Sequence, residues 1–459
     1  MSSDRLKGIE VSARFGLGAK RGESRVAAAD PRGWLLEQVR DPGPVWRPRA
    51  TAAAQWSRLM AGGSMATDMP KTERKAMRKV ARREMRTFFK ETMAPELRAD
   101  VVQRFAHGVS TGRPFAERMA LFWSNHFSVS AQKGRLVAAG VLGYEAEAIR
   151  AHMDGDFAQM LIGVAQHPVM LFYLDNHAST GPNSKVGRRR KRGLNENFAR
   201  EILELHTLGV DGGYQQEDVG QLARAMTGWG FGRANRGGAN QVGRFEFNLV
   251  MHEPGSRRLL GRKYPEAGAE QGTGMLRALA VHPSTARHLA TKLARHFVAD
   301  QPPAWAIDEL ERTYLASDGN LPALHRAVAN LAGMSLGPKL KTPYEYLLSV
   351  FRGLDLDALP ERYVHSALSA LGQKPFAAPS PAGWPDSAAH WGAPSALLSR
   401  VEWALRTGQR FAAGIEPRAL AGDILAEPSD SPTILALSRA ASAQQGLGLL
   451  LAASSFQWR

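Results

Sequence analysis

The chain has 459 residues, 44% of them hydrophobic and 22% charged. That is a globular rather than a disordered composition, with length enough for a sizeable core. It has no cysteine, which excludes disulfides, thiol catalysis and cysteine-ligated zinc or iron–sulfur centres and leaves the redox compartment open. A formal charge of +16 favours anionic partners such as nucleic acid, acidic lipid or an anionic cell-wall polymer, the plain alternative being surplus arginine.

In chain order, the first residues, MSSDRLKGIEVSARFGLG, contain no apolar run of signal-peptide length and no twin-arginine signal leading into one. The reading is a soluble cytoplasmic protein, with a periplasmic location by export on a signal-bearing partner as the alternative. Spacing predicts a helix over 71–90 with Met77, Val80, Ala81, Met85 and Phe88 on one face and Lys75, Arg78, Lys79, Arg82, Arg86 and Lys90 on the other. Pro114 opens a helix to 127, and further helices are expected over 135–153 and 156–166. Residues 173–193 read as a loop, because Asp175, Asn176, Ser179, Asn183 and Ser184 cluster around Gly181-Pro182. It is either a substrate loop or a packed surface loop. It ends in the unbroken cations Arg188, Arg189, Arg190, Lys191 and Arg192. With Lys75, Arg78, Arg82 and Arg86 these are the candidate polyanion-binding residues. No helix-turn-helix or zinc-finger pattern accompanies them, so sequence-specific nucleic-acid recognition is not expected.

A helix over 194–208 follows. At 100° per residue Leu194, Phe198, Ile202 and Leu205 share one side, while Glu196, Asn197, Arg200, Glu201 and Glu204 share the other. Two readings stand open. The acidic face is either a solvated ladder of pairs four residues apart, or a site in which Glu201 and Glu204, one turn apart, bind a divalent metal or exchange a proton. In the second reading His126 and Asp175 complete the catalytic candidates. Asn195, Glu196, Asn197, Arg200, Asn176, Ser184, Tyr214, Trp229 and His252 are the ligand-binding candidates. His206 falls on the apolar side and reads as a hydrogen-bonded core histidine.

A helix over 217–227 comes next, followed by a Gly/Arg-rich break at 230–243. The one alternating stretch, 244–250, places Phe245, Phe247 and Leu249 opposite Glu246 and Asn248, as in a half-buried strand. A second break covers 255–274. Helices are then expected over 270–281, 284–299, 303–316, 321–333 and 343–354, a Pro/Ala-rich break over 373–394, and helices over 394–407 and 432–453. The apolar run 447–453 is too short to span a bilayer. The fold class expected is all-α, an irregular multi-helix architecture with at most a small β-hairpin. Three regions are drawn: an N-terminal helical layer over 1–110, a core over 111–260 and a C-terminal helical region over 261–459, or one continuous domain. No GxSxG elbow, Walker loop or strand-to-helix GxGxxG occurs, and no HExxH pair. Nucleotide and acyl-enzyme chemistry are therefore not expected, and no cofactor is evident beyond a divalent metal at the acidic face.

Several short motifs stand out together: RFGLG at 14–18, FWSNHF at 122–127, YLDNHASTGPNS at 173–184 and the stretch 193–229. HEPG at 252–255, LARHFVAD at 293–300, KLKTP at 339–343, PAGWPD at 381–386 and SFQWR at 455–459 complete the series. In this order they resemble a bacterial family catalogued as domain of unknown function 1800, over most of the chain. The resemblance implies a mostly helical fold and pairing with an exported protein of sulfatase or alkaline-phosphatase type. It names no reaction. The expectation drawn from residues and resemblance together is a non-enzymatic binding or assembly factor acting with that partner or with an anionic polymer. The alternative is a hydrolase or metal-dependent enzyme using the acidic face of 194–208.

Overall fold

The computed structural model describes residues 3–61, 71–190, 193–232, 241–334, 336–356 and 359–459. Among them helices dominate, and the only paired strands are two antiparallel pairs. The protein is all-α in class. Two apolar cores organise it. The larger gathers Trp56, Phe115, Trp123, Phe127, Phe157, Phe198 and Phe297, and the smaller gathers Phe105, Tyr346, Phe351, Trp403 and Leu447. The first helix, α1 (Ser3–Arg14), and the turn after it feed both. Val11 and Phe15 belong to the larger core, Ile9 and Leu17 to the smaller. Gly18 closes that turn at φ +101°, where a Cβ would collide with Ser349, so glycine is required there for conformation and for space.

The basic helix α2 (Lys71–Phe88) runs through a π-turn, Phe89–Met93, into α3 (Ala94–Ser110). Its apolar face is only partly covered: Ala81 is buried and Met85 and Phe88 pack against the larger core, whereas Met77 and Val80 stay exposed. Pro114 starts α4 (Pro114–His126) as expected. α5 (Arg135–Tyr144) continues through a π-turn, Glu145–Ile149, and a 3-10 turn, Arg150–His152, together filling the helix expected over 135–153.

The helix expected over 194–208 is shorter. It comprises α6 (Asn197–Glu201) and a π-turn, Ile202–His206. Residues 194–196 stay out of it because Asn195 is committed elsewhere. Its backbone N–H donates to Ser179 Oγ at 3.1 Å and its Oδ1 accepts the N–H of Asn197 at 3.0 Å, an Asx arrangement that competes with helix. After α7 (Gln216–Ala225), β1 (Trp229–Phe231) pairs with β2 (Phe245–Phe247), Gly230 opposite Glu246. Phe245 and Phe247 are half-buried around an exposed Glu246, as the alternation predicts. Leu249, placed on the same side by the sequence pattern, lies past the strand end and is 67% exposed.

A second hairpin occupies the stretch read as a break: β3 (Arg257–Leu259) with β4 (Arg262–Tyr264). Leu260 and Gly261 both turn at positive φ between them, the backbone a tight two-residue hairpin demands. A leucine in that position hides the signal that Asn-Gly would have given. The C-terminal half holds α8 (Pro283–Phe297), α9 (Pro343–Leu354), α10 (Pro394–Phe411) and α11 (Ala443–Ala452), the first three opening on proline. The single helix expected over 432–453 is divided into Pro432–Ser438 and α11. Ser442 starts the latter by accepting the N–H of Gln445. Among the described residues no helix is long and apolar enough to cross a membrane.

Candidate functional site

α4 and α8 lie against each other across a cavity of about 310 Å³. On α8, His288, Lys292 and His296 recur every four residues, which places them on one face. α4 answers with Phe122 and His126, also four apart. The His126 ring sits 6.2 Å from His288, and Phe122 sits 5.5 Å from His296. The cavity is lined by Lys292, His126, His296 and Asp386 among polar groups, and by Phe122, Tyr344, Phe376 and Trp384 among aromatic ones.

The hydrogen bonds fix the tautomers. His126 Nε2 lies 3.2 Å from the carbonyl of His206, which can only accept, so Nε2 carries the proton and Nδ1 offers a lone pair. Lys292 Nζ donates to that Nδ1 at 2.9 Å. His296 Nδ1 donates to Asp386 Oδ2 at 2.6 Å, leaving its Nε2 as a lone pair with no hydrogen-bond partner among the described residues. Burial holds both His126 and His296 below the usual imidazole range, so both are neutral at pH 7. Burial also pulls Lys292 down to about 8, with Arg295 acting in the same direction and Asp386 against it. Burial acts upward on Asp386, but His296, Lys339 and Arg459 outweigh it and hold the carboxyl at about 2.

Beside the cavity lies a buried ionic network. Thr342 and Glu345 form a capping box at the start of α9: Glu345 N–H donates to Thr342 Oγ1, and Glu345 Oε2 accepts the N–H of Thr342 at 2.8 Å. The box aims the other oxygen, Oε1, at Arg118 and at Arg459, the latter 3.1 Å away. Arg118 also donates to the carbonyl of Gly16, and Arg459 to that of His296 at 2.9 Å. Lys339 pairs with Asp300 at 2.5 Å and Asp386 at 3.2 Å. On the other side, Arg150 bridges Glu145 and Glu117 at 2.8 and 2.6 Å, and Arg104 pairs with Glu145 while donating to Tyr344 Oη at 2.6 Å. Asn125 clasps Trp384 by two bonds, donating to its carbonyl at 2.9 Å and accepting its N–H at 2.7 Å. Gly383, at φ +86°, lies so close to the Asn125 backbone that no Cβ fits.

The nine motifs thus separate into two groups. RFGLG, FWSNHF, LARHFVAD, KLKTP, PAGWPD and SFQWR converge on the cavity and its ionic network. The loop 173–184, the stretch 193–229 and HEPG form a second cluster of backbone clamps. In that cluster Asn176 Nδ2 donates to the carbonyls of Met226 and Trp229 at 3.2 and 3.3 Å, and Ser184 Oγ accepts the N–H of Gly187 at 3.0 Å. His252 Nδ1 meets the carbonyl of Thr227 at 3.0 Å, Trp229 packs edge-on to Phe245, and Glu253 accepts two bonds from Asn183.

Among the described residues none of the acidic-face candidates hydrogen-bonds to His126, whose partners are the His206 carbonyl and Lys292. Arg200 reaches Glu204 at 3.3 Å and Gln216 at 2.6 Å, Gln216 reaches Glu196 at 2.8 Å, and Tyr214 Oη donates to Glu204 at 2.8 Å. Asn197 is exposed. Asp175, at φ 59°, pairs with Lys133 at 2.6 Å on the surface. Glu201 is half-buried, and burial together with Glu204 raises its pKa. It lies near enough to Tyr173 to raise that phenol as well, after burial. Among the described residues no three His, Asp or Glu side chains gather as a metal-binding set, so no third side chain of these types joins Glu201 and Glu204. His206 is buried as expected, yet neither ring nitrogen has a hydrogen-bond partner among the described residues. Arg82, Arg86, Arg188, Arg189 and Arg190 are exposed. The side chains of Lys75 and Arg78, and Lys191 and Arg192 altogether, lie outside the described residues.

Sequence reasoning missed Lys292, His296, Asp386, Arg118, Glu345 and Arg459. One signal was available: His288, Lys292 and His296 repeat at helical spacing on a segment whose other face is apolar. The pairing of His296 with Asp386, 90 residues apart, had no local signal.

Fold and site together define an all-α protein that carries a largely apolar cavity between two helices, with a few polar side chains on its wall and ion pairs from distant segments beside it. The chain belongs to the family described as protein of unknown function, DUF1800, which matches residues 10–458. Neither a curated protein nor a solved structure matches it.

Proposed function

We propose that the protein is a binder of a small organic anion, held in the cavity between α4 and α8. The observation that carries this reading is Lys292. Its ammonium donates to a neutral imidazole, and among the described residues no carboxylate lies within ion-pair distance of it. A half-buried cation without a counter-charge is costly, and a ligand carboxylate or phosphate would supply the missing partner. Arg295 and Lys374, exposed at the cavity wall, add positive potential. Phe122, Tyr344, Phe376 and Trp384 suit an apolar or aromatic body, and the volume lies at the small end of ligand pockets. Benzoate and its neutral isostere benzamide test the idea by calorimetry. Benzoate should bind one per chain and benzamide at least tenfold more weakly, with the preference lost in Lys292→Met. Equal binding of the two, or none of either, would overturn it.

A second reading, attachment to a polyanion or to an exported sulfatase- or alkaline-phosphatase-like partner, draws on the exposed Arg82, Arg86 and Arg188–Arg190. None of these is ion-paired among the described residues. Beside the arginine helix, Lys185–Arg190, an open cleft holds Arg224, Arg257, Arg258 and Lys263 against a single carboxylate, Glu253. Displacement of counterions makes such binding fall steeply with salt. Neutralising Arg188–Arg190 should lower the salt needed to elute the protein from heparin. Unchanged elution would remove this reading, and co-fractionation with an exported partner would decide between cytoplasmic and periplasmic locations.

A further inference from the structure

We infer that the anion taken by the cavity carries a carbonyl group, and that Lys292 joins it as a Schiff base while His296, oriented by Asp386, moves the protons. This inference rests on the binding reading above and specifies the ligand's chemical class.

Four lysines lie around the cavity and its network, and their settings differ; Lys374 lines the cavity but is exposed to solvent at its wall. Lys339 is locked between Asp300 and Asp386 and also donates to the Asp386 carbonyl at 2.8 Å. Lys341 donates to the carbonyl of Phe456 at 2.7 Å and lies over the Phe456 ring. Both are held by the fold. Lys292 lines the cavity and is less exposed than Lys374, and its hydrogen bond among the described residues is to an imidazole lone pair. A lysine tied to a carboxylate is held as ammonium. One beside a neutral acceptor in a desolvated pocket gives up its proton more readily, which is what amine nucleophiles need.

The groups facing Lys292 support this. They are His126 from α4, His206 from the π-turn, His288, Arg295 and His296 from its own helix, and Asp386 from the 373–386 segment. The histidines are neutral at pH 7, and Asp386 is spent on His296, Lys339 and Arg459. With its proton binding lowered to about 8, roughly one chain in ten presents the free amine at pH 7.

His296 lies one helical turn from Lys292 on the same face. Its Nδ1–H is fixed on Asp386, and its Nε2 is a buried lone pair without a hydrogen-bond partner among the described residues, the tautomer that a general base requires. The step balances without an added reagent. The amine nitrogen forms a bond to the carbonyl carbon and the π pair moves to oxygen; His296 accepts a proton from the now cationic nitrogen and delivers it to that oxygen, which gives the carbinolamine. The nitrogen lone pair then forms the C=N bond as the hydroxyl departs, and the remaining N–H proton passes through His296 to the departing oxygen. The C–O bond breaks, water leaves and the imine remains.

Phenylpyruvate, an aromatic α-keto acid, is the probe, with cyanoborohydride supplying hydride to trap the imine as a secondary amine. The expected product is one adduct per chain, heavier by the probe's mass less one oxygen, mapping to Lys292. It should form at least tenfold faster than at the exposed Lys185. Lys292→Arg keeps a cation but lacks a nucleophilic amine, and should give no adduct while its circular dichroism shows it folded. Lys185→Arg should label like the wild type, and His296→Gln at least tenfold more slowly. Labelling spread over surface lysines, or none at Lys292, in a protein that still binds benzoate would overturn the Schiff base and leave anion binding standing. Failure of benzoate to bind would overturn both.

Discussion

At the scale of single residues, the charges near the cavity have opposite effects on stability. Glu345 is buried with Arg118 and Arg459 against one oxygen, and those cations outweigh the upward push of burial and hold its carboxyl well below the usual range. Glu345→Gln keeps the shape and strands two buried guanidiniums. It should destabilise by about 3–5 kcal/mol in urea unfolding, and a loss under about 1 kcal/mol would mean that solvent reaches the network. Lys292 acts in the other direction. Its proton affinity is lower in the folded chain, near 8, than in the unfolded one, near 10.5. The unfolded chain therefore binds the proton more tightly, so the folded state is penalised at neutral pH and relieved as pH rises from 8 to 10.5. Lys292→Met should raise stability at pH 7 by roughly 1–3 kcal/mol while removing anion binding, the exchange of stability for function expected of a site residue. A less stable variant would show that Lys292 holds the fold together.

At the scale of elements, the short helix α6 and its π-turn carry a core face that the spacing identified correctly. Phe198 and Ile202 are fully buried, and Leu205 is half-buried. Ile202→Ala should cost about 2–5 kcal/mol through lost burial and a cavity, and a change within about 0.5 kcal/mol would contradict the packing. The same periodicity placed Glu201 with the polar residues, but at the border of the apolar arc, and the structure leaves it half-buried. The π-turn widens the helix so that His206 and its carbonyl face His126. Among the described residues this is the one direct hydrogen bond between that turn and the cavity helix α4. The irregular turn was not legible, because a wide turn is set by what packs around it and the side-chain pattern is unchanged.

For the whole molecule, buried neutral histidines and buried ionised carboxylates combine to set the response to acid. Burial lowers His206 and His325 to about 3 and His288 to about 4. Below about 6.5 the unfolded chain therefore takes up protons that the folded chain refuses, and stability falls with pH. Asp386, held at about 2, contributes stability that is fully present above about 4 and is lost as pH falls through 2. The melting temperature should begin to fall near pH 6.5 and fall more steeply below 4. A flat profile between pH 7 and 5 would show that the histidines are solvated.

Fold class and most helix positions were decided by local rules that a sequence displays: apolar residues at helical spacing and proline at first turns. The strand at 245–247 was legible by the same means, since alternation survives in three residues. The second hairpin was not, because Leu260 occupies the left-handed position where a glycine or asparagine would have announced the turn. The acidic face of 194–208 was conspicuous in sequence because its charges are close along the chain. Closeness along the chain is also what lets Arg200, Glu204, Gln216 and Tyr214 satisfy one another locally. The cavity is built the opposite way. Lys292 meets His126 across 166 residues, and Arg118 meets Glu345 across 227. Each partner looks like an ordinary surface charge until packing removes the water around it. Desolvation makes an unpaired lysine or a His–Asp pair chemically distinctive, and only the tertiary structure decides which charges are desolvated.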